Sequence, residues 1–582
     1  MKDKNLEKIR HSCSHLLAAA VAKLYPDAKR TIGPPIENGF YYDFDFKTPL
    51  TYADLSKIEK EMRQILKTWK VFVRSEMSIY EAKQFLKDNP YKLELVKQFT
   101  REGQKKVSFY KSGDFIDLCE GGHSKNPHQE IGAFKLTHIA GAYWRGNEKN
   151  KMLTRIYGTC FPTKVELDHY LWQIEEAKRR DHRKLGRDLE IFTISEDVGP
   201  GLILWLPKGT IVKDELERWG KETEKKWGYQ RVCTPEITKS RLFYTSGHLP
   251  YYQKDMYPPM KEESGEEYFL KPMNCPHHHM IYKAKTRSYK ELPLRLAEYG
   301  RCYRHEASGE LFGLLRVRGM TQNDAHIYCT PEQAVEEFVS VMKLHQYYYD
   351  TLGIKDYYLE LSLRDPAKKE KYHGNEAMWQ KAEKLMKIAV KKTNIRMEVQ
   401  KGNAAFYGPK IDFIIKSAVG RTFAASTNQI DLYMGKQFGL TYIDEKGREK
   451  TPVIIHRAPL GSSERFVGFL LEQYGGALPL WLAPIQVMLI PISEKHLAYT
   501  KKVEQKLTAE NIRVEVDSRN QTMQAKIREG TLQKVPFIGI IGEKEVQKKG
   551  SISLRSHKKG NLGLIYINDF IKELQETISS KR

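Results

Sequence analysis

Two pairs of side chains with metal-binding chemistry lie at helical spacing in the N-terminal part of the chain. His11 and His15 stand four residues apart in RHSCSH, and Cys119 and His123 stand four apart in DLCEGGH. Imidazole and thiolate together are a ligand set that zinc accepts. A second interpretation stays open, because paired histidines are often packed or hydrogen-bonded and the glycines of DLCEGGH suit a backbone that lines a ligand.

A second set of potential ligands has no compact spacing. Cys275 lies in KPMNCPHHHM, His326 in TQNDAHIYC and His456 in VIIHRAPLG. Each segment mixes glycine, proline or polar residues with apolar ones. Only tertiary folding could bring the three side chains together, so each residue taken alone favours a structural role.

Arginines in glycine-containing segments form a third set. A guanidinium group is permanently charged and forks onto phosphate oxygens, so fixed arginines suit a triphosphate. Ordinary surface ion pairs are the alternative. The four are Arg304 in RCYRHEASG, Arg316 and Arg318 in LLRVRGM, and Arg465 in LGSSERFVGFLLE.

The first pair of histidines needs a helix to position it. Residues 5–24 carry apolar side chains at helical spacing, which predicts an amphipathic helix packed on a core. At about 100° per residue, His11, His15, Ala18 and Ala22 fall on roughly the opposite face. That face is small and apolar around two imidazoles, which predicts a pocket wall.

Farther along the chain, residues 163–187 read as one long polar helix that ends in the basic run AKRRDHRKLGR. Such a helix is typical of an element between two domains, and we place a boundary near residue 187. After residue 480, IQVMLIPI, IRVEVD, FIGIIG and GSISLRS alternate with helices up to a last helix over 567–578, which predicts a compact α/β domain. The sequence contains neither GxGxxG nor GxxxxGK[ST], so neither a dinucleotide fold nor a P-loop is indicated.

Length and charge bound the class of protein. A chain of 582 residues is too long for one core and favours three or four domains. The net charge of +23 favours a polyanionic partner, nucleic acid ahead of anionic membrane, with a solvated basic surface as the alternative. No run of about 18 apolar residues and no signal peptide appear, so we expect a soluble cytoplasmic protein without a membrane partner. Seven cysteines, an odd number, favour reduced thiols.

Taken in chain order, these segments resemble known signature motifs. YQRVCTPEI, RHEASG followed by RVRGMTQNDAHIYC, and GSSERF resemble the three motifs of class II aminoacyl-tRNA synthetases. MNCPHHHM, TQNDAHIYC and VIIHRAPLGSSERF resemble the threonyl-tRNA synthetase family in particular, and the resemblance runs from about residue 5 to the C-terminus. It implies a multidomain α+β protein with an antiparallel-sheet catalytic domain, an α+β editing domain and a C-terminal α/β anticodon-binding domain.

The resemblance also implies a division of the chain and a function. Residues 1–135 would form the editing domain, 136–187 its remainder with a linker helix, 188–480 the catalytic domain and 481–582 the anticodon-binding domain. The implied enzyme is a homodimer whose interface includes the segment around Pro235. It would join L-threonine to tRNA(Thr) with ATP and hydrolyse mischarged seryl-tRNA(Thr).

For ATP, the resemblance implies that Arg304 binds the α-phosphate and Arg465 the γ-phosphate. Glu306 would read the adenine amino group, Arg316 would add positive charge at the triphosphate, and Mg²⁺ would bridge phosphate oxygens. In-line attack of a carboxylate on phosphorus needs charge neutralisation and alignment more than a general base. No nucleophilic side chain is therefore expected.

The scattered second set would be the zinc site, with one Zn²⁺ per chain held by Cys275, His326 and His456. Three protein ligands leave an open position, which the amino and hydroxyl groups of threonine would fill. Valine lacks the hydroxyl group and would be rejected by that polar requirement. The residues that complete the threonine pocket would be Gln322, Asp324, Tyr407 and Gln429.

Serine has both polar groups and lacks only a methyl group, a difference worth roughly 10–200-fold in a pocket, so a second, hydrolytic site is expected. The resemblance places a seryl ester among the four side chains of the first set and implies catalysis by positioned water without zinc. Related alanyl editing domains hold zinc with the same ligand types, so spacing leaves both possibilities open. The implied editing residues are His11, His15, Cys119, His123, Asp117 and Lys92.

In the C-terminal domain the resemblance implies four residues that read anticodon bases: Asn520, Arg528, Glu545 and Arg555. The helix QTMQAKIREGTLQK offers lysine and arginine to phosphates. A solvated basic face is the alternative for that helix.

Three residues depart from the family pattern, and the chain starts at the editing helix, so we expect no ubiquitin-like N-terminal domain. Met320 stands where class II enzymes often stack a phenylalanine on adenine, and Ala424 stands where the family usually has glutamine. Because a hydrogen bond is lost, we expect somewhat weaker ATP binding. Gly122 replaces a proline before the editing histidine, which predicts a freer turn.

Two functions from other classes compete with this hypothesis. A noncatalytic RNA-binding regulator could keep the fold, but it would have no reason to keep the triphosphate arginines and all three zinc candidates. A stand-alone metallohydrolase centred on RHSCSH would leave most of the chain unexplained.

Overall fold

The computed structural model describes residues 4–393, 395–417 and 422–581. The chain forms two compact units, Met1–Glu175 and Glu176–Arg582. The finer division at residues 135, 187 and 480 stays a prediction. Among the described residues, no helix combines the length and apolar character needed to cross a membrane.

The first unit is built from helices on antiparallel sheets, and its last helix crosses the boundary to the second unit. Its helices are α1 (Lys4–Leu24), α2 (Tyr52–Leu66), α3 (Ile79–Phe85), α4 (Pro90–Arg101), α5 (Pro127–Glu130) and α6 (Lys164–Arg179). Its strands are β1 (Lys29–Arg30), β2 (Pro35–Ile36), β3 (Gly39–Asp45), β4 (Val73–Ser78), β5 (Lys106–Ser112), β6 (Phe115–Leu118), β7 (Ala133–Tyr143) and β8 (Met152–Phe161).

Helix α1 confirms the amphipathic helix predicted at the N-terminus. Its apolar residues Cys13, Leu16 and Leu17 are fully buried, in a core shared with α2, β3 and β8. The sheet order is β1-β3-β8-β7, with β2 paired to β3, and a separate three-stranded sheet has the order β4-β5-β6. The opposite face of α1 is also covered, since Ala18 is fully buried and His15 nearly so.

The second unit holds the remaining elements. Its helices are α7 (His182–Asp188), α8 (Pro207–Lys226), α9 (Ser240–Thr245), α10 (His248–Tyr251), α11 (Cys275–Lys283), α12 (Ala334–Thr351), α13 (Glu376–Lys391), α14 (Met434–Gln437), α15 (Ser463–Tyr474), α16 (Leu497–Ala509), α17 (Met523–Leu532), α18 (Glu543–Gln547) and α19 (Ile567–Ser579). Its strands are β9 (Phe192–Thr193), β10 (Leu204–Trp205), β11 (Gln230–Arg231), β12 (Ile237–Lys239), β13 (Met260–Lys261), β14 (Glu267–Leu270), β15 (Leu294–Tyr303), β16 (Gly319–Cys329), β17 (Tyr357–Leu363), β18 (Met397–Lys401), β19 (Lys410–Lys416), β20 (Thr422–Asp431), β21 (Tyr442–Ile443), β22 (Glu449–Lys450), β23 (Val453–Ala458), β24 (Val487–Pro491), β25 (Val514–Val516), β26 (Phe537–Ile541), β27 (Ser551–Ser556) and β28 (Gly560–Tyr566).

An eight-stranded sheet dominates the second unit, in the order β11-β15-β16-β23-β20-β19-β17-β18. Its central pairs are antiparallel, and only the pairs β11–β15 and β17–β18, at its two edges, are parallel. The register places His326 opposite His456 and His456 opposite Gln429. Because side chains alternate along a strand, such cross-strand partners project from the same face of the sheet. The predicted antiparallel catalytic sheet is confirmed.

The C-terminal part of this unit has its own sheet, in the order β25-β24-β26-β27-β28. Strands β25, β24 and β26 are parallel, and β27 and β28 complete the sheet antiparallel. The predicted α/β domain is confirmed, although the sequence analysis did not assign β28.

The predicted single helix over residues 163–187 is wrong, because the structure has two helices, α6 and α7. Asp181 separates them: its side chain accepts a hydrogen bond from the backbone N–H of Arg183 at 2.8 Å and caps the start of α7. An aspartate that caps a new helix terminates the old one, since the cap residue itself takes a non-helical backbone conformation.

Candidate functional site

Folding brings together three potential metal ligands from three elements. Cys275 is the first residue of α11, His326 lies on β16 and His456 on β23. One ligand atom from each lies within 4.8 Å of the other two. The centroids of the two imidazole rings are 4.6 Å apart.

A chain of hydrogen bonds fixes the proton on His326. Glu298 accepts a hydrogen bond from His278 Nε2 at 3.0 Å, and in a neutral imidazole ring the other nitrogen is then an acceptor. His326 Nδ1 lies 2.8 Å from that nitrogen and must donate to it. The buried Nε2 of His326, which has no hydrogen-bond partner, is therefore left with a bare lone pair.

Glu298 is ionised, as the order of donors and acceptors from His326 through His278 to Glu298 requires. Burial raises the pKa of its carboxyl group, but the hydrogen bond from His278 and the positive charge of Lys271 outweigh burial and lower it. Thr234 adds two hydrogen bonds to the same carboxylate, from its backbone N–H at 2.7 Å and its hydroxyl group at 2.9 Å.

His456 is oriented in the same way. Its Nε2 donates to Asp431 at 3.0 Å, which leaves the buried Nδ1 as a lone pair without a hydrogen-bond partner. Carboxylates that fix the tautomer of a liganding histidine are typical of metal sites. Burial raises the pKa of the Cys275 thiol, and Asp324 adds to it, whereas a divalent cation would stabilise the thiolate. The donor set therefore fits a zinc ion.

A cavity of about 470 Å³ opens beside these ligands. Two of the ligands line it, together with all four residues predicted for threonine and two of those predicted for ATP. The predicted residues in its wall are Cys275, His456, Gln322, Asp324, Tyr407, Gln429, Arg304 and Arg465. Met320 and Ala424, which depart from the family pattern, also line the cavity.

On the side of the cavity predicted to bind threonine, two side chains are held by hydrogen bonds. Asn274 donates to Asp324 at 3.3 Å, and the Tyr407 hydroxyl group donates to the side-chain oxygen of Gln429. Asp324 is 9% exposed, which leaves a carboxylate at the cavity wall for a cationic amino group.

Two arginines are fixed on the side of the cavity predicted to bind ATP. Arg304 Nε donates to the carbonyl oxygen of Pro272 at 3.3 Å, and Arg465 Nε donates to that of Leu315 at 3.1 Å. Arg465 lies in the first turn of α15, whose N-terminal backbone N–H groups favour an anion.

The other two predicted ATP residues contact each other and are not among the residues that line the cavity. Arg316 pairs with Glu306 at 2.9 Å and with Glu310 at 2.7 Å. Their predicted contacts with ATP stay predictions.

In the first unit, the four residues of the first set converge. One ligand atom from each of His11, His15, Cys119 and His123 lies within 4.8 Å of the others. Cys119 Sγ is 3.5 Å from His11 Nε2. Both ring nitrogens of His123 are buried without a hydrogen-bond partner.

Asp117 anchors this cluster, with Lys92 beside it. Lys92 Nζ lies 2.9 Å from one carboxylate oxygen, and the Tyr42 hydroxyl group donates to the other at 2.6 Å. His15 Nδ1 is 3.4 Å from the same carboxylate. Burial opposes protonation of His15, but hydrogen bonds to Asp117 and Cys119 outweigh it and raise the pKa of His15.

Cys119 is a thiolate in this environment. Burial raises its pKa, but the surrounding imidazoles of His11, His123 and His15 outweigh burial and lower it to about 3. Burial also lowers the pKa of His123 to about 4. The site thus combines a thiolate with imidazoles whose pKa values are shifted in opposite directions, which suits either positioned water or a metal.

Two consecutive glycines shape the turn before His123. Gly121 has φ +114° and Gly122 has φ +86°. Proline holds φ near −65°, so this turn has a conformation that proline cannot adopt. Proline at position 122 would therefore require this turn to rearrange.

A second cavity, of about 420 Å³, lies in the C-terminal domain and is lined by Glu545 and Arg555. Both oxygens of Glu545 are engaged, one by Ser553 at 2.6 Å and one by the Gly542 N–H at 2.8 Å. Asn520 and Arg528 are exposed and do not line this cavity. The anticodon assignments stay predictions.

His278, Glu298 and Asp431 were not among the residues predicted from the sequence. His278 had a detectable signal, because it follows Cys275 by three residues and such spacing places both on one side of a helix. Glu298 and Asp431 lie on strands without a local motif.

Comparisons with known proteins agree with this geometry. Family models match in three places: tRNA synthetase class II core domain (G, H, P, S and T) over residues 257–474, anticodon binding domain over 486–577, and threonyl and alanyl tRNA synthetase second additional domain over 107–157. RHEASG, RVRGMTQNDAHIYC and GSSERF lie within the class II core match, and DLCEGGH lies within the second additional domain match.

Relatives match nearly the whole chain. The threonine–tRNA ligase of Thermus thermophilus is 48% identical over 578 residues, covering 97% of this chain and 87% of the relative, and that of Oceanobacillus iheyensis is 46% identical over 583 residues, covering 100% and 90%. Among solved structures, the RNA-binding domain of threonyl-tRNA synthetase from Cryptosporidium parvum has a TM-score of 0.65 and 36% identity, covering 68% of this chain and 98% of that one. The putative threonyl-tRNA synthetase ThrRS-1 from Aeropyrum pernix has a TM-score of 0.61 and 28% identity, covering 69% and 96%. The chain belongs to the threonine–tRNA ligase family of class II aminoacyl-tRNA synthetases.

Proposed function

We propose that the 470 Å³ cavity is where this ligase converts threonine and ATP to threonyl-adenylate before transfer to tRNA(Thr). One observation carries this proposal: a single cavity joins a carboxylate, two ligands with metal chemistry and two fixed guanidinium groups. An amino acid and a triphosphate need these groups side by side.

The protein's own residues align the two substrates. Arg304 and Arg465 hold the triphosphate and neutralise charge as the threonine carboxylate approaches the α-phosphorus, with Mg²⁺ accompanying ATP. Asp324 faces the amino group of threonine, and Gln429, held by Tyr407, closes the other side of the pocket. Alignment of this kind lowers the barrier without a general base.

Cys275, His326 and His456 would hold one Zn²⁺ per chain through the thiolate, Nε2 and Nδ1. When bound, zinc would supply a Lewis-acidic position for the amino and hydroxyl groups of threonine. The two lone pairs without partners support this assignment.

Threonine-dependent ATP–pyrophosphate exchange tests the proposal. We expect exchange with threonine, weaker exchange with serine, and none above background with valine, which lacks the hydroxyl group. Exchange with valine at the threonine rate would contradict the proposed recognition. Arg465→Ala is expected to abolish exchange, because it removes a triphosphate contact.

We also propose that His11, His15, Cys119 and His123, supported by Asp117 and Lys92, hydrolyse seryl-tRNA(Thr) without a metal. The second additional domain match and the convergence of these side chains support it. The double variant His11→Ala/His15→Ala should deacylate seryl-tRNA(Thr) slowly while threonine-dependent exchange is kept. Unchanged deacylation would show that this cluster is not the editing site.

A homodimer in the cytoplasm is proposed as the working form. Apolar side chains near Pro235 support an interface, since Ile237 is 46%, Tyr244 61% and Met260 46% exposed. Sedimentation equilibrium should give twice the chain mass, and cell fractionation should recover the enzyme with soluble proteins.

We propose four residues of the C-terminal domain as anticodon contacts: Glu545, Arg555, Asn520 and Arg528. The proposed domain limits are at residues 135, 187 and 480.

A further inference from the structure

A third group of ligand-type side chains lies behind the ATP side of the cavity: Asp181, His182 and Glu472. His182 is fully buried at the start of α7. Its Nδ1 lies 2.8 Å from a carboxylate oxygen of Glu472, and the backbone N–H of Leu314 donates to its Nε2 at 3.1 Å. Both ring nitrogens are engaged, so this histidine has no lone pair left for a metal.

The two partners define the tautomer of His182. An N–H can only donate, so Nε2 must be the acceptor and carry no proton. Nδ1 therefore carries the proton and donates it to Glu472. The imidazole links α15, which carries Glu472, to the segment that contains Leu314.

That segment is a tight turn over residues 312–316. The backbone N–H of Phe312 donates to the carbonyl oxygen of Arg316 at 3.1 Å. The backbone N–H of Leu315 donates to the carbonyl oxygen of Phe312 at 3.0 Å. Gly313 has φ +50°, and a Cβ atom there would lie 2.2 Å from His182 Nε2. The turn thus packs its glycine directly on the imidazole.

Two adjacent residues of this turn are held from different sides. His182 accepts the N–H of Leu314, and Arg465 donates to the carbonyl oxygen of Leu315 at 3.1 Å. The guanidinium group of Arg183, paired to Asp181, also lies 4.3 Å from the centroid of the Phe312 ring. Arg465 also donates to the carbonyl oxygen of Ala424 at 3.4 Å, so moving the turn would move the nearer of the two carbonyl oxygens that orient its guanidinium group.

We propose that His182 is a positioning residue for ATP: it fixes the turn 312–316 through Leu314 and thereby orients Arg465. The inference rests on the proposed ATP site. Loss of the acceptor at Nε2 leaves a buried N–H without a partner, which is costly enough for the turn to shift. Binding of ATP then weakens, whereas the threonine side of the cavity keeps its geometry.

Two near-isosteric variants of His182 distinguish the effect of the hydrogen-bond acceptor at Nε2 from the effect of side-chain packing. His182→Gln can place its side-chain oxygen near the Nε2 position and keep the bond from Leu314. His182→Asn can keep the donor to Glu472 but does not reach Leu314. His169→Asn, on the exposed histidine of α6, is the matched control. Each enzyme is assayed as full-length protein for ATP and threonine KM in exchange.

We expect His182→Asn to raise the ATP KM about tenfold, with the threonine KM within about twofold. His182→Gln and His169→Asn should stay within about twofold of wild type for both substrates. An unchanged ATP KM in His182→Asn, or an equal rise in His182→Gln, overturns the proposal. If neither His182 variant folds, hydrogen exchange of the wild-type Leu314 amide decides, and exchange as fast as an open loop overturns it.

Failure of this inference differs from failure of the proposed ATP site. If Arg465→Ala abolishes exchange while the ATP KM of His182→Asn is unchanged, only the role of His182 is wrong. If Arg465→Ala leaves the ATP KM unchanged, the proposed ATP site itself is wrong, and the inference fails with it.

Discussion

His326 and His456 lie opposite each other on the antiparallel strands β16 and β23, with ring centroids 4.6 Å apart. Each ring has one nitrogen held by an anionic network and the other buried without a partner. The sheet register brings the rings together. The carboxylates of Glu298 and Asp431 fix the tautomers of the two rings, so that each ring keeps one nitrogen with a free lone pair. The proposed recognition of threonine rests on this arrangement.

Glu298→Gln tests whether the relay through His278 prepares His326 for a metal. Glu298 accepts hydrogen bonds from Thr234 and His278, and an amide must turn its NH₂ group toward one of these donors. The relay can then reverse and place a proton on His326 Nε2. We expect zinc affinity to fall roughly 10–100-fold, measured by competition with a chromogenic chelator.

Glu445→Gln, in an exposed loop, is the control for Glu298→Gln and should bind zinc like wild type. Equal zinc affinities in all three proteins would show that the relay does not set the tautomer of His326.

Cys119 should react as a thiolate at acid pH. Its pKa of about 3 results because the three neighbouring imidazoles outweigh burial. The rate of alkylation by iodoacetamide should therefore stay nearly constant between pH 8 and pH 5. An ordinary thiol, with pKa about 8.5, slows about tenfold per pH unit below that value. Peptide mass spectrometry measures the rate, with glutathione as reference, and a tenfold loss per unit at Cys119 would contradict the thiolate.

Glu464 should make stability depend on pH. Burial raises its pKa to about 7, although the hydrogen bond from the Thr321 N–H at 2.9 Å acts in the opposite direction and lowers it. Because an unfolded glutamate ionises near pH 4.3, the unfolded state binds fewer protons between about pH 4.3 and 7, and the free energy of unfolding falls as pH rises. Glu464→Gln keeps the acceptor and does not titrate.

The Tm of Glu464→Gln minus that of wild type should therefore increase from pH 5 to pH 8. This increase corresponds to a difference of up to about 3 kcal/mol in the free energy of unfolding. Differential scanning fluorimetry measures it. A difference that is constant or shrinks with pH would mean that the carboxyl group does not titrate in this window.

Gly122→Pro should damage editing although proline is usual at this position in the family. Gly122 has φ +86°, whereas proline requires about −65°, so the turn before His123 must rearrange. We expect seryl-tRNA(Thr) deacylation to fall at least about tenfold while threonine-dependent exchange is unchanged. Gly103→Pro has the same backbone conflict at φ +87° away from the cluster and should edit normally. Faster editing in Gly122→Pro would reverse this conclusion.

Local periodicity was enough to predict some elements and not others. The apolar stripe of α1 predicted both the helix and the clustering of His11 with His15, since four residues make about one turn. The break at Asp181 was missed, because the basic run around it has helical character and the cap depends on one side chain. Strand β28 was missed because its glycines weaken the pattern of a strand.

The zinc candidates show what local patterns cannot supply. Cys275, His326 and His456 come from a helix start and two strands, and their proximity depends on sheet register. Only the resemblance to a family grouped them. Glu298 and His182 were not selected at all, because their roles arise from contacts with residues distant in sequence.

Metal analysis of the purified chain tests the central claim most directly. Inductively coupled plasma mass spectrometry should find one zinc per chain in wild type and in His11→Ala/His15→Ala, and close to none in Cys275→Ser. Two zincs per chain would contradict a metal-free editing site, and zinc retained by Cys275→Ser would contradict the proposed recognition of threonine.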